Sequence, residues 1–352
     1  MTTVQWETLL KIIAGKKPEK PPVGFIIDSP WLPGWYGIRI LDYYSSDEIW
    51  FNANLEAIKT FPDVIFLPGF WAEYGMCTEP SAFGSKIIWS EQSLPHAEKI
   101  INSCLEPDQI RKPDVKSDGL LPFVINRLYH SEERIKAAGH RIKFAVSRGP
   151  LNIASFLMGT TEFMMGITSE PEKIHRMLSV ITDFIQEWIG YQMDSFRDID
   201  GIFLLDDMVG FVGEKEFESF VLPYLKKVYD GFNVPVKFFH NDAHGLVCAP
   251  YLKEIGINLF NFSFEHSIQE MRDLAGKSVV LLGNIPPRDI LAQGTADVVK
   301  KDVHSAIQSL DDHSRVIWSC GGGMPQDVPT ENIQTFVEAA NEAFGTSEGE
   351  VT

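Results

Sequence analysis

Val236-Lys-Phe-Phe-His240-Asn-Asp242 is a short apolar run that ends in polar residues. That is the pattern of a strand buried on both faces, delivering a histidine and then an aspartate at its end. Arg315-Val-Ile-Trp-Ser-Cys320 repeats the pattern and closes on a cysteine followed by Gly321-Gly322-Gly323. Outward from these two, runs of the same kind occur at residues 63–67, 142–146, 201–205, 257–262 and 278–282, with 24–28 as a further strand-like run. Helical periodicity fills the intervals: Ile174, Met177, Leu178, Ile181, Phe184, Ile185 and Trp188 behind Glu170-Pro171, then residues 214–229, then 296–310 behind Thr295 as an N-cap. Buried strands separated by helices pair in parallel through right-handed crossovers. Seven or eight such units predict an α/β fold of the (β/α)8 TIM-barrel type. A doubly wound sheet is the alternative, but the chain has no Gly-x-Gly-x-x-Gly turn of the kind dinucleotide folds use. The barrel is expected over residues 61–345. Residues 1–60 read as a helical and irregular extension packed on it, and 346–352 as a frayed tail.

The 352 residues are 44% hydrophobic, enough for one large core. Thirty-one Lys and Arg against 48 Asp and Glu give a formal charge of −17, which repels nucleic acids and anionic membranes. No apolar run approaches the roughly 20 residues that span a bilayer, and the N-terminus lacks the pattern of a signal peptide. Cys77, Cys104, Cys248 and Cys320 are scattered, as in a reduced chain. A cytoplasmic location is expected.

Active sites of such barrels sit at the C-terminal ends of the strands. Asp206 and Asp207 follow one strand; His240, Asn241 and Asp242 follow another; Ser263 and Glu265, then Gly283 and Asn284, then Cys320 and its glycines follow the rest. Asp206 and Asp207 are the candidate catalytic residues; either also suits a helix N-cap. Asn284 is a candidate substrate contact or a turn cap, and Gly322 permits close approach of a ligand to the backbone. Cys320 taken alone suits a small buried hydrophobe as well as a ligand. The aromatic residues Trp31, Trp35, Tyr36, Tyr43, Tyr44, Trp50, Phe70, Trp71 and Tyr74 suit the wall of a flat substrate pocket, or packing over the barrel; Trp31 and Trp71 are the substrate-binding candidates among them.

At these residues the chain resembles the uroporphyrinogen decarboxylase superfamily over about residues 60–345. The marks are Phe61-Pro-Asp63-Val-Ile, Ser147-Arg-Gly149-Pro150-Leu-Asn-Ile-Ala-Ser-Phe, Phe217-Glu-Ser-Phe-Val-Leu-Pro223-Tyr224, Leu282-Gly283-Asn284-Ile-Pro286, and Ser319-Cys320-Gly-Gly-Gly with Pro329-Thr-Glu-Asn332. The resemblance implies a TIM-type barrel. In the decarboxylase branch it implies a substrate-binding aspartate, which Asp63 resembles, and an N-terminal arginine cluster, which Phe25-Ile-Ile-Asp28-Ser-Pro-Trp31 lacks. In the cobalamin-dependent methyltransferase branch it implies a zinc site of the type His-x-Cys with a distant Cys. There His240 and Cys320 stand for the first and last ligands, and Asp242 holds the place of the middle cysteine. Asp206, Asp207, Glu265 and His244 are alternatives for that third ligand. A carboxylate in place of a thiolate leaves zinc the stronger Lewis acid, suited to a reaction in which oxygen departs, such as demethylation of a small O-methyl compound. The resemblance then implies a corrinoid carried on a separate partner protein. A metal-independent lyase and a non-catalytic binding protein are the competing readings.

Overall fold

The computed structural model describes residues 1–103, 110–244 and 246–347. Eight parallel strands form its centre: β1 Val23–Ile26, β2 Val64–Leu67, β3 Phe144–Arg148, β4 Gly201–Leu205, β5 Val236–Asn241, β6 Leu259–Phe262, β7 Val280–Ile285 and β8 Val316–Cys320. They pair in the order β2-β1-β8-β7-β6-β5-β4-β3, a sheet curled into a TIM-barrel-like fold as expected. The first strand falls inside residues 1–60, the stretch expected to be an extension, so that stretch contributes to the barrel itself. Four helices make up most of the rest of it, Thr3–Ile13, Leu32–Tyr36, Ile40–Ser45 and Asp47–Thr60. The single helix expected over 214–229 is broken: a π turn, Phe217–Val221, precedes Leu222–Asp230, because Pro223 has no N–H for the ladder. The final helix, Thr330–Ser347, covers the first two residues of the expected tail; 348–352 lie outside the described residues.

Strand residues alternate between two apolar layers. Ile26, Ile65, Leu67, Phe144, Phe203, Leu205, Phe238, Leu259, Val280, Leu282 and Ile317 point inward and form one cluster. Phe203 and Phe238 stack there with centroids 4.0 Å apart. Trp6, Leu9 and Ile12 of the first helix belong to the same cluster and plug the floor of the barrel. Phe25, Phe66, Ala145, Leu204, Phe239, Phe260, Leu281, Trp318 and Cys320 belong to the other, packed under the surrounding helices. This parity decides which polar residues at the strand ends reach the mouth.

Between β2 and β3 the described residues form no ladder. Side chains satisfy the free edge of β3 instead. Gln192, on the long helix Pro171–Ser195, accepts from the Val146 N–H and donates to the Val146 carbonyl, both at 3.0 Å. Glu79 accepts from the Arg148 N–H at 3.0 Å. An exposed edge would otherwise carry unpaired backbone groups.

Candidate active site at the barrel mouth

Alternation carries Phe238, His240 and Asp242 to the interior of β5, and Leu205 and Asp207 to the interior beyond β4. Ligand atoms of Asp207, His240 and Asp242 all lie within 4.8 Å of one another. His240 Nε2 is 3.4 Å from Asp207 Oδ1 and 3.9 Å from Asp242 Oδ2. The other ring nitrogen, Nδ1, is 2.7 Å from Asn261 Oδ1. Asn261 directs its NH2 group to the carbonyls of Leu282 and Cys320, so its oxygen is an acceptor and His240 Nδ1 the donor. The proton is thereby held on Nδ1, and the lone pair on Nε2 faces the two carboxylates. Histidine metal ligands are oriented in this way. Desolvation raises the pKa of Asp242; His240 opposes that rise and Asp207 adds to it.

The neighbouring aspartates Asp206 and Asp207 face opposite ways. Asp206 is fully buried behind the sheet, where its two oxygens each accept at 2.9 Å from the N–H groups of Leu151 and Asn152. It closes the N-terminus of the helix Pro150–Met158 from outside that helix. Burial raises its pKa and the two N–H groups act against the rise. A Cβ on Gly149 would come within 2.3 Å of Asp206 Oδ2, which explains the glycine of Ser147-Arg-Gly149-Pro150. Cys320 likewise points into the outer layer, and its thiol donates to the Gly322 carbonyl at 3.3 Å. Burial pushes its pKa up. It stands outside the Asp207–His240–Asp242 group. Gly322 has φ +112° and lies so close to Asp242 that a Cβ would sit 2.6 Å from Oδ2. It makes room for the carboxylate.

The cavity above these residues has a volume of about 300 Å³. Its opposite wall is a buried charge network. Glu73 accepts from the Ser29 N–H at 3.2 Å and the Ser29 hydroxyl at 2.6 Å, and pairs through its other oxygen with Arg148 Nη2 at 3.1 Å. The Arg148 guanidinium lies 5.5 Å from the centre of the Trp71 ring. Asp28, next to Ser29, is half-buried, and its Oδ1, shielded from solvent, has no hydrogen-bond partner among the described residues. All of these line the cavity together with Asp207, His240 and Asp242.

Other expected contacts fall elsewhere. Asp63 is exposed and precedes β2, at the floor rim; a residue before a parallel strand cannot reach the mouth. Trp31 is fully buried, ring to ring with Trp35 and Phe66, and its indole donates to the Val328 carbonyl. It packs the barrel's outer layer. Asn284, within β7, donates to the His266 carbonyl 18 residues earlier. His244 and Glu265 pair with each other at 3.3 Å on the exposed rim. Of the aromatic residues, Trp71 lines the mouth, while Tyr44 and Tyr74 line a separate cavity with Trp89. Asn261 and Asp28 carried no role in the sequence reading. Their signal was a polar residue at an inward position of an otherwise apolar strand.

A family model described as uroporphyrinogen decarboxylase (URO-D) matches residues 5–343. Among curated proteins, the uroporphyrinogen decarboxylase of Psychromonas ingrahamii is 23% identical over 302 residues, 82% of this chain and 79% of that protein. That of Pseudoalteromonas translucida is 23% identical over 75% of this chain and 76% of its own length. Among solved structures, a methyltransferase from Methanosarcina mazei superposes with a TM-score of 0.81 at 18% identity, covering 97% of this chain and 99% of that one. A B12-independent methionine synthase from Shewanella sp. W3-18-1 gives 0.59 at 12% identity, covering 94% and 99%. With its model matched over nearly the whole length, the chain belongs to the uroporphyrinogen decarboxylase family.

Proposed function

We propose that this chain is a metal-dependent methyltransferase of the methyltransferase branch of its family. It moves a methyl group between a small O-methyl compound and a corrinoid held on a separate protein. The observation that carries the reading is the Asp207–His240–Asp242 group with its histidine oriented by Asn261. One neutral imidazole and two carboxylates suit a catalytic zinc, which takes three protein ligands and leaves a place open. Bound there, zinc acts as a Lewis acid toward an oxygen of the substrate. Gly322 makes room for Asp242, and Asn261 keeps the proton of His240 on Nδ1. Trp71 offers an apolar face beside that centre. The cavity volume of about 300 Å³ suits a multiply carboxylated tetrapyrrole poorly. Among the described residues no helix is long and apolar enough to cross a membrane. We propose work in the cytoplasm, with the corrinoid protein meeting the mouth.

The test is the metal content of protein purified without chelator, followed by methyl transfer from methoxyarenes to a reduced corrinoid. Zinc near one per chain, lost in His240→Ala and Asp207→Ala and kept in Cys320→Ser, is the expected result. Loss in Cys320→Ser instead would return the thiol to the ligand set. A wild type that takes up no divalent metal when zinc is supplied, and turns over uroporphyrinogen, would replace this reading by the decarboxylase one.

A further inference from the structure

We infer that Asp28 hands a proton to the substrate oxygen that loses its methyl group. The inference rests on the proposed methyl transfer and adds a residue to it. Asp28 is inward by the alternation of β1, in which Ile26 faces the interior and Phe25 and Ile27 the outer layer. It lines the same cavity as the Asp207–His240–Asp242 group, from the opposite wall. Its Oδ1 is shielded from water and bonded to nothing among the described residues. An acceptor oxygen left so would carry the desolvation cost of an unmade hydrogen bond. A carboxyl that holds a proton and donates it to a ligand removes that cost.

The charged groups around Asp28 come from four other elements. Glu73 follows β2 and Arg148 ends β3; Asp242 follows β5, and Cys320 ends β8. Glu73 and Arg148 are paired with each other, so Asp28 shares the Arg148 charge with Glu73. Burial, then Glu73, raise the Asp28 pKa well above the usual carboxylate range, while Arg148 and the Trp31 N–H act against the rise. Burial and the Glu73 charge thus favour the protonated form of the carboxyl. Glu73, the other acid lining this wall among the described residues, has both oxygens engaged by Ser29 and Arg148.

The step balances as follows. The carbon–oxygen bond breaks with both electrons left on oxygen. The methyl carbon bonds to the electron pair of the external acceptor, a reduced corrinoid. The proton leaves Asp28 for the oxygen, giving a free hydroxyl and an Asp28 carboxylate, which takes a proton back from solvent through the mouth. The substrate class is a compact, neutral methoxy compound whose alkoxide or phenoxide is a poor leaving group.

The test uses two readouts on the full chain with its metal. Infrared difference spectra of wild type minus Asp28→Asn at pH 7 should contain the carbonyl stretch of a protonated carboxyl. Methyl transfer should discriminate by leaving group. With 2-methoxyphenol, Asp28→Asn should lose on the order of 100-fold or more, the usual scale of general acid catalysis. With 4-nitromethoxybenzene, whose phenoxide leaves without help, it should lose less than about tenfold by the same reasoning. Equal losses on both donors would mean that Asp28 only shapes the pocket, and absence of the infrared band would mean that it has no proton to give; either overturns the inference. Failure of the wild type to transfer methyl from any donor, with the band present, would sink the methyltransferase reading and with it this role for Asp28, leaving only the buried proton.

Discussion

The two walls of the mouth cavity hold similar numbers of charges in different ways. On the β1–β3 side, Glu73, Arg148 and Ser29 are buried and bonded to one another. On the β4–β5 side, Asp207 and Asp242 keep side-chain exposures of 31% and 42% and face one histidine lone pair. These three are satisfied as they stand, while Asp28 beside them keeps an unbonded oxygen. The second wall gathers two carboxylates around the Nε2 of His240. A buried charge network fixes geometry, whereas a partly wet cluster of carboxylates around an oriented imidazole is built to receive a cation.

The comparison breaks if the walls respond alike. The largest effect is expected on the bonded side. Arg148→Ala leaves Glu73 buried without its partner and should cost about 3–5 kcal/mol of stability, read from urea unfolding; an unchanged midpoint would show that Glu73 does not depend on the pair. On the other side, Asn261→Leu should leave the fold intact but weaken zinc binding about 10–100-fold, measured by competition with a chelating dye. Equal affinity would mean that the His240 tautomer is set by something else. Asp207→Asn in metal-free protein should shift stability by less than about 1 kcal/mol, in the stabilising direction, since it removes repulsion from Asp242 at a partly exposed site. A large loss would mark Asp207 as part of the scaffold.

A smaller effect lies outside both walls and sets the background against which they are read. Burial, then the N-terminal ammonium, lower the pKa of His140 from 6.5 to about 4. The folded state thus binds fewer protons than the unfolded one between those values. Its contribution is fully present above pH 6.5 and is lost as pH falls toward about 4. The Tm of His140→Gln should fall less steeply than that of the wild type across that window.

The fold was legible because parallel barrel strands are apolar on both faces and stand out as runs. Gly201–Leu205 is such a run with the bounds expected. The site was legible only by strand end, because the reading stopped at which residues follow each strand and did not carry the alternation through. Counting in twos from Phe203 sends Asp207 inward and Asp206 outward; counting from Trp318 sends Cys320 outward. The same count puts Asn261 beside His240, its register partner on the next strand. Asp63 was misplaced for a different reason: it precedes its strand, and polarity along a parallel strand separates floor from mouth. The engagement of Glu73 with Arg148 and Ser29 joins three separate segments, and no spacing in the sequence announces it.

The edge of β3 has one further consequence. A closed barrel is a ring in which every strand has two neighbours, and opening it anywhere breaks several backbone bonds at once. Here the free edge of β3 is covered by another element, the amide of Gln192 gripping Val146 by both of its backbone groups. Protection of the Val146 amide proton from exchange should therefore follow a side-chain rotamer on a helix rather than a ladder.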